Sequence, residues 1–278
     1  EHYRSVLCCC HENGIEPIVT MLHFTSPKWV IENGGWEKED TIEAFADYCR
    51  YVAEELGDEM HYVCTINEAN MGLQVAAIAE RYKRQMMAKM EGAAQVGMNF
   101  NEMMANMQKQ KEENLEVFGT DTPQTFVSAR TKEGDILVMR AHQAARRAMK
   151  EVKPELKIGL SLSLHDIQTM EGGEERAMKE WEEEFTHYIP YIKEDDFFGL
   201  QNYSRSLIGP DGIMPNPAGA KVTQMDYENY PEALEHVIRR VYQEMPIPIM
   251  VTENGIATED DAERVTFIKT ALSGVQSC

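Results

Sequence analysis

The stretch IEPIVTMLH at residues 15–23 has the short, β-branched and nearly continuous apolar pattern of a strand that is buried on both faces of a parallel sheet. Helical patterns flank it on both sides, at residues 1–13 and at residues 37–56. Gly14 is well placed to end the first of these helices. A strand set between helices is the repeating unit of α/β proteins.

The same alternation continues to the end of the sequence. Four further strands are predicted, at residues 62–67, 157–164, 197–203 and 247–252. Helices are predicted at residues 134–152, 174–188, 230–244 and 260–274. Strands that alternate with helices form right-handed βαβ units and a parallel sheet. The sequence therefore predicts a single α/β domain over residues 1–278.

Residues 69–124 interrupt this alternation and are predicted to form a helical insertion within the domain. The insertion is rich in methionine, at Met86, Met87, Met90, Met98, Met103, Met104 and Met107. Flexible methionine side chains suit either a promiscuous binding surface or the inner face of a helical excursion. The second interpretation is favoured, because core packing is the commoner use of such a stripe.

Charge and composition exclude several classes of partner. The formal net charge is −20 at pH 7, so neither nucleic acid nor an anionic membrane surface is an expected partner. No apolar run approaches the roughly 20 residues of a membrane helix. Three of the six cysteines are consecutive, at residues 8–10, which favours reduced thiols in the cytoplasm. No cofactor and no metal ion are expected, since the sequence has neither a CxxC pair nor a glycine-rich phosphate loop after a strand.

Two carboxylates stand where predicted strands end, at Glu68 and Glu253. Because the carboxyl ends of parallel strands share one edge, the two acids are expected to converge there. A pair of carboxylates suits glycoside hydrolysis, with retention at a separation of about 5 Å and inversion at roughly 6.5–9.5 Å. On this pattern alone, an equally good interpretation is that both residues cap the segments that follow them.

Five motifs resemble those of glycoside hydrolase family 1, in the family's order. Residues 65–68, TINE, resemble its T-x-N-E-P motif, and residues 251–255, VTENG, resemble its [IV]-T-E-N-G motif. Residues 198–203 resemble the stretch that carries a tyrosine bonded to the nucleophile. Residues 18–29 and 34–36 resemble the strand and loop around a sugar-binding histidine. These motifs are distributed over residues 18–255, so the resemblance extends over nearly the whole sequence.

The resemblance implies an incomplete (β/α)8 TIM barrel, with strands three to seven of eight present and both ends truncated. It implies a retaining β-glycoside hydrolase, similar to β-glucosidases, that is exo-acting on β-glucosides or β-galactosides and works by double displacement. The alternative is a catalytically weak or inactive barrel fragment that serves as an assembly or sugar-binding module. Open sheet edges in such a fragment would favour a homo-oligomer or a complementing chain that covers them.

The resemblance also assigns roles to six residues. Glu68 would be the acid/base, Glu253 the nucleophile, and Tyr203 the group that orients Glu253. His23, Asn67 and Gln201 would bind the sugar, although without the resemblance His23 is better explained as a core histidine.

Two positions depart from the family pattern. Ala69 stands where the family has proline after the acid/base, which is expected to loosen that loop. Gln201 stands where many members have asparagine, so its amide reaches further.

Overall fold

The computed structural model describes residues 1–92 and 100–278, which divide into two compact units. The first unit comprises Glu1–Met21, Leu56–Ala69 and Glu155–Cys278, and the second comprises Leu22–Glu55 and Asn70–Pro154. The single domain expected over residues 1–278 stays a prediction.

The first unit contains the strands of the described residues, except for Leu22 at the end of the first strand. Its helices are α1 (His2–Glu12), α7 (Glu174–Glu184), α8 (Ile189–Ile192), α9 (Ala233–Glu244) and α10 (Asp261–Ser277). Its strands are β1 (Ile18–Leu22), β2 (Tyr62–Ile66), β3 (Lys157–Gly159), β4 (Ser161–Ser163), β5 (Asp166–Thr169), β6 (Phe198–Gln201), β7 (Arg205–Gly209), β8 (Gly212–Ile213) and β9 (Ile249–Glu253). The alternation of strands and helices expected from the sequence is present, with boundaries shifted by a few residues.

Parallel pairing aligns the strand ends that matter for the site. The hydrogen-bonded orders are β1-β2-β3 and β4-β6-β9. The pairs β2–β3, β4–β6 and β6–β9 are parallel. The single strand predicted at residues 157–164 is divided at Leu160, so that β3 pairs with β2 and β4 pairs with β6. Leu160 itself is fully buried, as are Ile158 and Leu162.

The prediction that β1 is buried on both faces is wrong for its first half. Met21 and Leu22 are buried, but Ile18 is 48% exposed and Ile15, just before the strand, is 57% exposed. Among the described residues β1 ends its sheet order, so its side chains have a neighbouring strand on one flank only. An apolar run in the sequence records strand propensity but does not show which side chains find cover.

A small sheet that the sequence did not reveal extends from the ends of β4 and β6. Its order is β5-β7-β8, with β5 and β7 parallel and β7 and β8 antiparallel. Its strands are short, and β5 and β7 begin with the charged residues Asp166 and Arg205, so period and composition gave no strand signal.

The second unit is helical. Its helices are α2 (Lys28–Glu32), α3 (Asp40–Leu56), α4 (Met71–Gly92), α5 (Phe100–Phe118) and α6 (Lys132–Val152). Thr131 caps α6 by accepting a hydrogen bond from the Gly134 amide at 3.0 Å, and the Glu37 carboxylate binds the amide and hydroxyl of Thr131.

The predicted insertion at residues 69–124 therefore contains two helices, α4 and α5, in its described part. The side chains of its seven methionines lie outside the described residues, so the methionine stripe stays a prediction. No helix in the ranges 1–92 and 100–278 is both long and apolar enough to cross a membrane.

Candidate active site

Glu68 lies in a tight turn directly after β2. Its backbone is in the left-handed region, with φ of +46°, which is uncommon for a residue other than glycine. The Glu68 amide donates a hydrogen bond to Ser161 Oγ at 3.1 Å, and the residue is only 9% exposed. The turn therefore holds this carboxyl group in a defined place at the end of the strand.

Ala69 is part of the same turn and does not loosen it. It is fully buried, and its amide donates a hydrogen bond to the Ser161 carbonyl at 2.9 Å. A proline has no amide hydrogen and could not make this bond. The expected loosening is therefore wrong, because alanine adds a contact between β4 and the turn.

Glu253 is the last residue of β9, and two donors face its carboxylate. Gln201 Nε2 donates to Oε1 at 3.0 Å, and the Tyr203 hydroxyl donates to Oε2. The pairing of β6 and β9 shifts register here: Leu200 lies opposite Val251, but Gln201 lies opposite Glu253. This irregularity brings the Gln201 amide onto the carboxylate, as bulges beside active sites commonly re-aim side chains.

Gln201 also contacts Asn67, so it links the two strand ends. Its Nε2 donates to Asn67 Oδ1 at 2.7 Å and lies 3.2 Å from Ser161 Oγ. Only the NH2 end of the amide can face these oxygen acceptors. Gln201 has no exposed surface, so the structure does not support the direct sugar contact assigned from the sequence. The side chain lies behind Asn67 and Glu253 and braces both of them.

Burial and nearby charge raise the pKa of both Glu68 and Tyr203. Burial, and secondly the charge of Glu253, raise the pKa of Glu68 from its ordinary value of 4.5 to about 7. Burial, followed by the hydrogen bond to Glu253, raises the pKa of Tyr203 above its usual range. Tyr203 therefore remains a donor to Glu253, and Glu68 can exist in both protonation states near neutral pH.

A dense polar network lies on the small sheet beside Tyr203. Arg205 forms a bidentate ion pair with Glu228, through Nε at 2.8 Å and Nη2 at 2.9 Å. Its guanidinium also lies 3.9 Å from the centre of the Tyr230 ring. The Ser204 hydroxyl donates to the Glu228 carbonyl at 2.7 Å. These contacts fix the segment that carries Tyr227, whose ring lies 6.4 Å from that of Tyr203.

His23 belongs to the second compact unit. It is exposed, and its ring packs edge-on against Phe24 with a centroid separation of 4.8 Å. The core-histidine alternative is therefore wrong, while sugar binding by His23 stays a prediction.

Ser161 is the residue of the site that the sequence did not reveal. It is fully buried in β4 and contacts the turn that carries Glu68. The available signal was a pair of hydroxyl residues, Ser161 and Ser163, inside the otherwise apolar stretch IGLSLSL at residues 158–164. Buried polar groups need hydrogen-bond partners, so such a residue marks a specific contact.

Comparison with known proteins identifies the family of this chain. The sequence matches glycosyl hydrolase family 1 over residues 1–276. The chain belongs to this family. Solved structures of similar proteins confirm the predicted (β/α)8-barrel class. The crystal structure of a β-glycosidase designated BGL167 matches 100% of this chain, with 37% sequence identity and a TM-score of 0.81. An apo β-glucosidase is 31% identical with a TM-score of 0.82 over 99% of this chain.

The match to relatives is partial on their side. This chain spans 63% of each of these two solved chains. It is 24% identical to a 6-phospho-β-galactosidase of Clostridium acetobutylicum, with alignment to 93% of this chain and 61% of the relative. The glycosyl hydrolase family 1 chain described here therefore corresponds to about three fifths of these proteins.

Proposed function

We propose that this chain carries the catalytic pair of a retaining β-glycoside hydrolase. The observation that supports this most directly is the unequal environment of its two strand-end acids. Glu68 has a pKa raised to about 7, whereas two donors hold the Glu253 carboxylate. A carboxyl group with a raised pKa, close to a carboxylate that accepts two hydrogen bonds, suits an acid and a nucleophile.

In the first step, a Glu253 carboxylate oxygen attacks the anomeric carbon of the sugar. The glycosidic C–O bond breaks, and protonated Glu68 gives its proton to the departing oxygen. Glu68, now ionised, then takes a proton from water while that water attacks the anomeric carbon and releases Glu253. Two displacements at one carbon return the original β configuration.

The remaining side chains support this sequence of steps. Tyr203 orients the attacking oxygen through its bond to Glu253. Asn67 directly precedes Glu68 and accepts from Gln201 Nε2, which also donates to Glu253. Asn67 is proposed to bind the sugar 2-hydroxyl, where hydrogen bonds strengthen in the transition state. His23 is proposed to bind a neighbouring hydroxyl. Gln201 is proposed to position Asn67 and Glu253 through its hydrogen bonds to both, without contacting the sugar.

The proposed substrate is a small glycoside with a terminal β-linked glucose or galactose. The relatives named β-glucosidase and β-glycosidase support this class. A neutral sugar also suits a chain with a net charge of −20, since it needs no basic pocket.

The decisive experiment is hydrolysis of an aryl β-glucoside by the chain and by Glu253→Ala. Turnover by the unaltered chain and its loss in Glu253→Ala are expected, and NMR should show the β anomer as the first product. Glu259→Ala, which removes an exposed carboxylate from the same loop, is the matched control and should keep activity. An unaltered chain without turnover, or equal rates with Glu253→Ala, would overturn the proposal. Binding of the glucoside without turnover would then favour the sugar-binding module.

We also propose a cytoplasmic location and association through sheet edges. All six cysteines are free thiols, which suits a reducing compartment. Among the described strands, β1 and β9 end their sheet orders and are partly exposed, so a second copy or another chain could pair there.

A further inference from the structure

One buried residue, Ser161, contacts three consecutive residues of the turn that carries Glu68. Its Oγ accepts from the Glu68 amide at 3.1 Å and donates to Asn67 Oδ1 at 3.2 Å. Its carbonyl oxygen accepts from the Ala69 amide at 2.9 Å. These contacts form because β4 passes directly beside the end of β2.

The turn needs such support. Glu68 has a φ of +46°, a conformation that persists for a residue with a side chain only when its surroundings impose it. Both Ser161 and Ala69 are fully buried, so their hydrogen bonds do not compete with bulk water. Without the Ser161 hydroxyl, the Glu68 amide would lose its acceptor and the left-handed conformation would lose one of its restraints.

The sheet is built to admit this side chain. Ser161 lies opposite Gly199 in the β4–β6 pairing. A Cβ at position 199 would lie 2.8 Å from the Ser161 Cβ, so glycine leaves the room that the serine occupies. The buried Cys64 thiol also lies against Ser161, and burial raises its pKa to about 12, so it stays neutral.

Building on the proposed function, we propose that Ser161 is a positioning residue for the acid/base. Its hydroxyl fixes the turn at Glu68 and thereby aims the Glu68 carboxyl group at the departing oxygen. The same hydroxyl lies 3.2 Å from Gln201 Nε2, which holds Glu253, so the two acids share one buried support.

Varying the leaving group of the substrate distinguishes a positioning role of Ser161 from a merely structural one. Glycosides with a dinitrophenol leaving group need little protonation, whereas those with a phenol leaving group depend on the general acid. For Ser161→Ala, kcat/KM should fall at least about tenfold more on the phenyl than on the dinitrophenyl β-glucoside. Ser161→Thr, which keeps the hydroxyl, should restore the ratio of the two kcat/KM values to that of the unaltered chain. Ser206→Ala should change neither value. An equal loss on both substrates, or no loss, would overturn the role of Ser161.

Amide hydrogen exchange separates this inference from the proposed function. The Glu68 amide bonds the Ser161 side chain, but the Ala69 amide bonds its carbonyl, which alanine retains. In Ser161→Ala the Glu68 amide should exchange at least about tenfold faster, while Ala69 stays protected. If the unaltered chain hydrolyses no glycoside, the proposed function fails but this measurement still decides whether Ser161 holds the turn. Unchanged exchange at Glu68 would contradict it.

Discussion

Replacing Glu68 with glutamine should stabilise the protein above pH 7 and change its stability much less near pH 4. Burial and the charge of Glu253 raise the pKa of Glu68 to about 7, from an ordinary value of 4.5. The unfolded chain therefore releases this proton at lower pH than the folded protein does. Between these two values the folded state loses stability as pH rises, and glutamine, which stays neutral, avoids that loss.

The size of the effect follows from the shift. Moving the pKa from 4.5 to about 7, at about 1.4 kcal/mol per pH unit, corresponds to about 3 kcal/mol. Solvent screening lowers this figure, so about 3 kcal/mol is its upper limit. The advantage of Glu68→Gln over the unaltered protein should therefore grow by about 2–3 kcal/mol between pH 4 and pH 8.

Urea unfolding of both proteins at pH 4, 5, 6, 7 and 8 would measure this difference. Subtracting the two free energies of unfolding at each pH removes the titration of all other groups, provided that they titrate alike in both proteins. The control repeats the comparison with Glu253→Gln in both proteins. Without the Glu253 charge, the pKa of Glu68 should be raised less, since burial, the larger cause, remains. The advantage of Glu68→Gln should therefore grow less and stop growing at a lower pH. A difference that is constant from pH 4 to pH 8 would refute the environment described for Glu68.

Three further predictions concern single contacts. Tyr203→Phe removes a donor to the Glu253 carboxylate, and kcat/KM on an aryl β-glucoside should fall about 10- to 100-fold in steady-state assays; an unchanged rate would contradict the orienting role. Ala69→Pro leaves the buried Ser161 carbonyl without this amide donor, and urea unfolding should show a loss of about 1–3 kcal/mol; an unchanged midpoint would show that the bond is dispensable. Arg205→Met leaves Glu228 buried without its bidentate partner, and the free energy of unfolding should fall by about 3–5 kcal/mol. The double variant Arg205→Met/Glu228→Gln should recover part of this loss. No recovery would indicate that packing of Arg205 on the Tyr230 ring matters instead.

Much of the framework was predictable from the sequence. Apolar runs of strand length, separated by amphipathic helical patterns, indicated β2, β6 and β9, and their ends placed Glu68 and Glu253 at strand termini. Local periodicity is enough for this, because side-chain spacing differs between strands and helices. The motif resemblance then favoured catalytic roles for these acids over capping roles, a choice that periodicity could not make.

The contacts between strands were not predictable in the same way. The division of residues 157–164 at Leu160 depends on which neighbour each half pairs with. The register shift that brings Gln201 onto Glu253 depends on pairing between β6 and β9. The burial of Gln201 and the hydrogen bonds of Ser161 follow from these pairings, so no local sequence pattern predicts them. The exposure of Ile18 likewise reflects the position of β1 in its sheet order and not its own sequence.

The most direct test of the central claim is to trap the proposed covalent intermediate. A 2-deoxy-2-fluoro β-glucoside with a dinitrophenol leaving group should glycosylate the chain and then hydrolyse slowly, because the fluorine slows both steps while the leaving group speeds the first. Peptide mapping by mass spectrometry should find the sugar on Glu253 in the unaltered chain and no label in Glu253→Gln. Absence of label in the unaltered chain, or label on Glu68 instead, would contradict the assignment of Glu253 as nucleophile and Glu68 as acid/base.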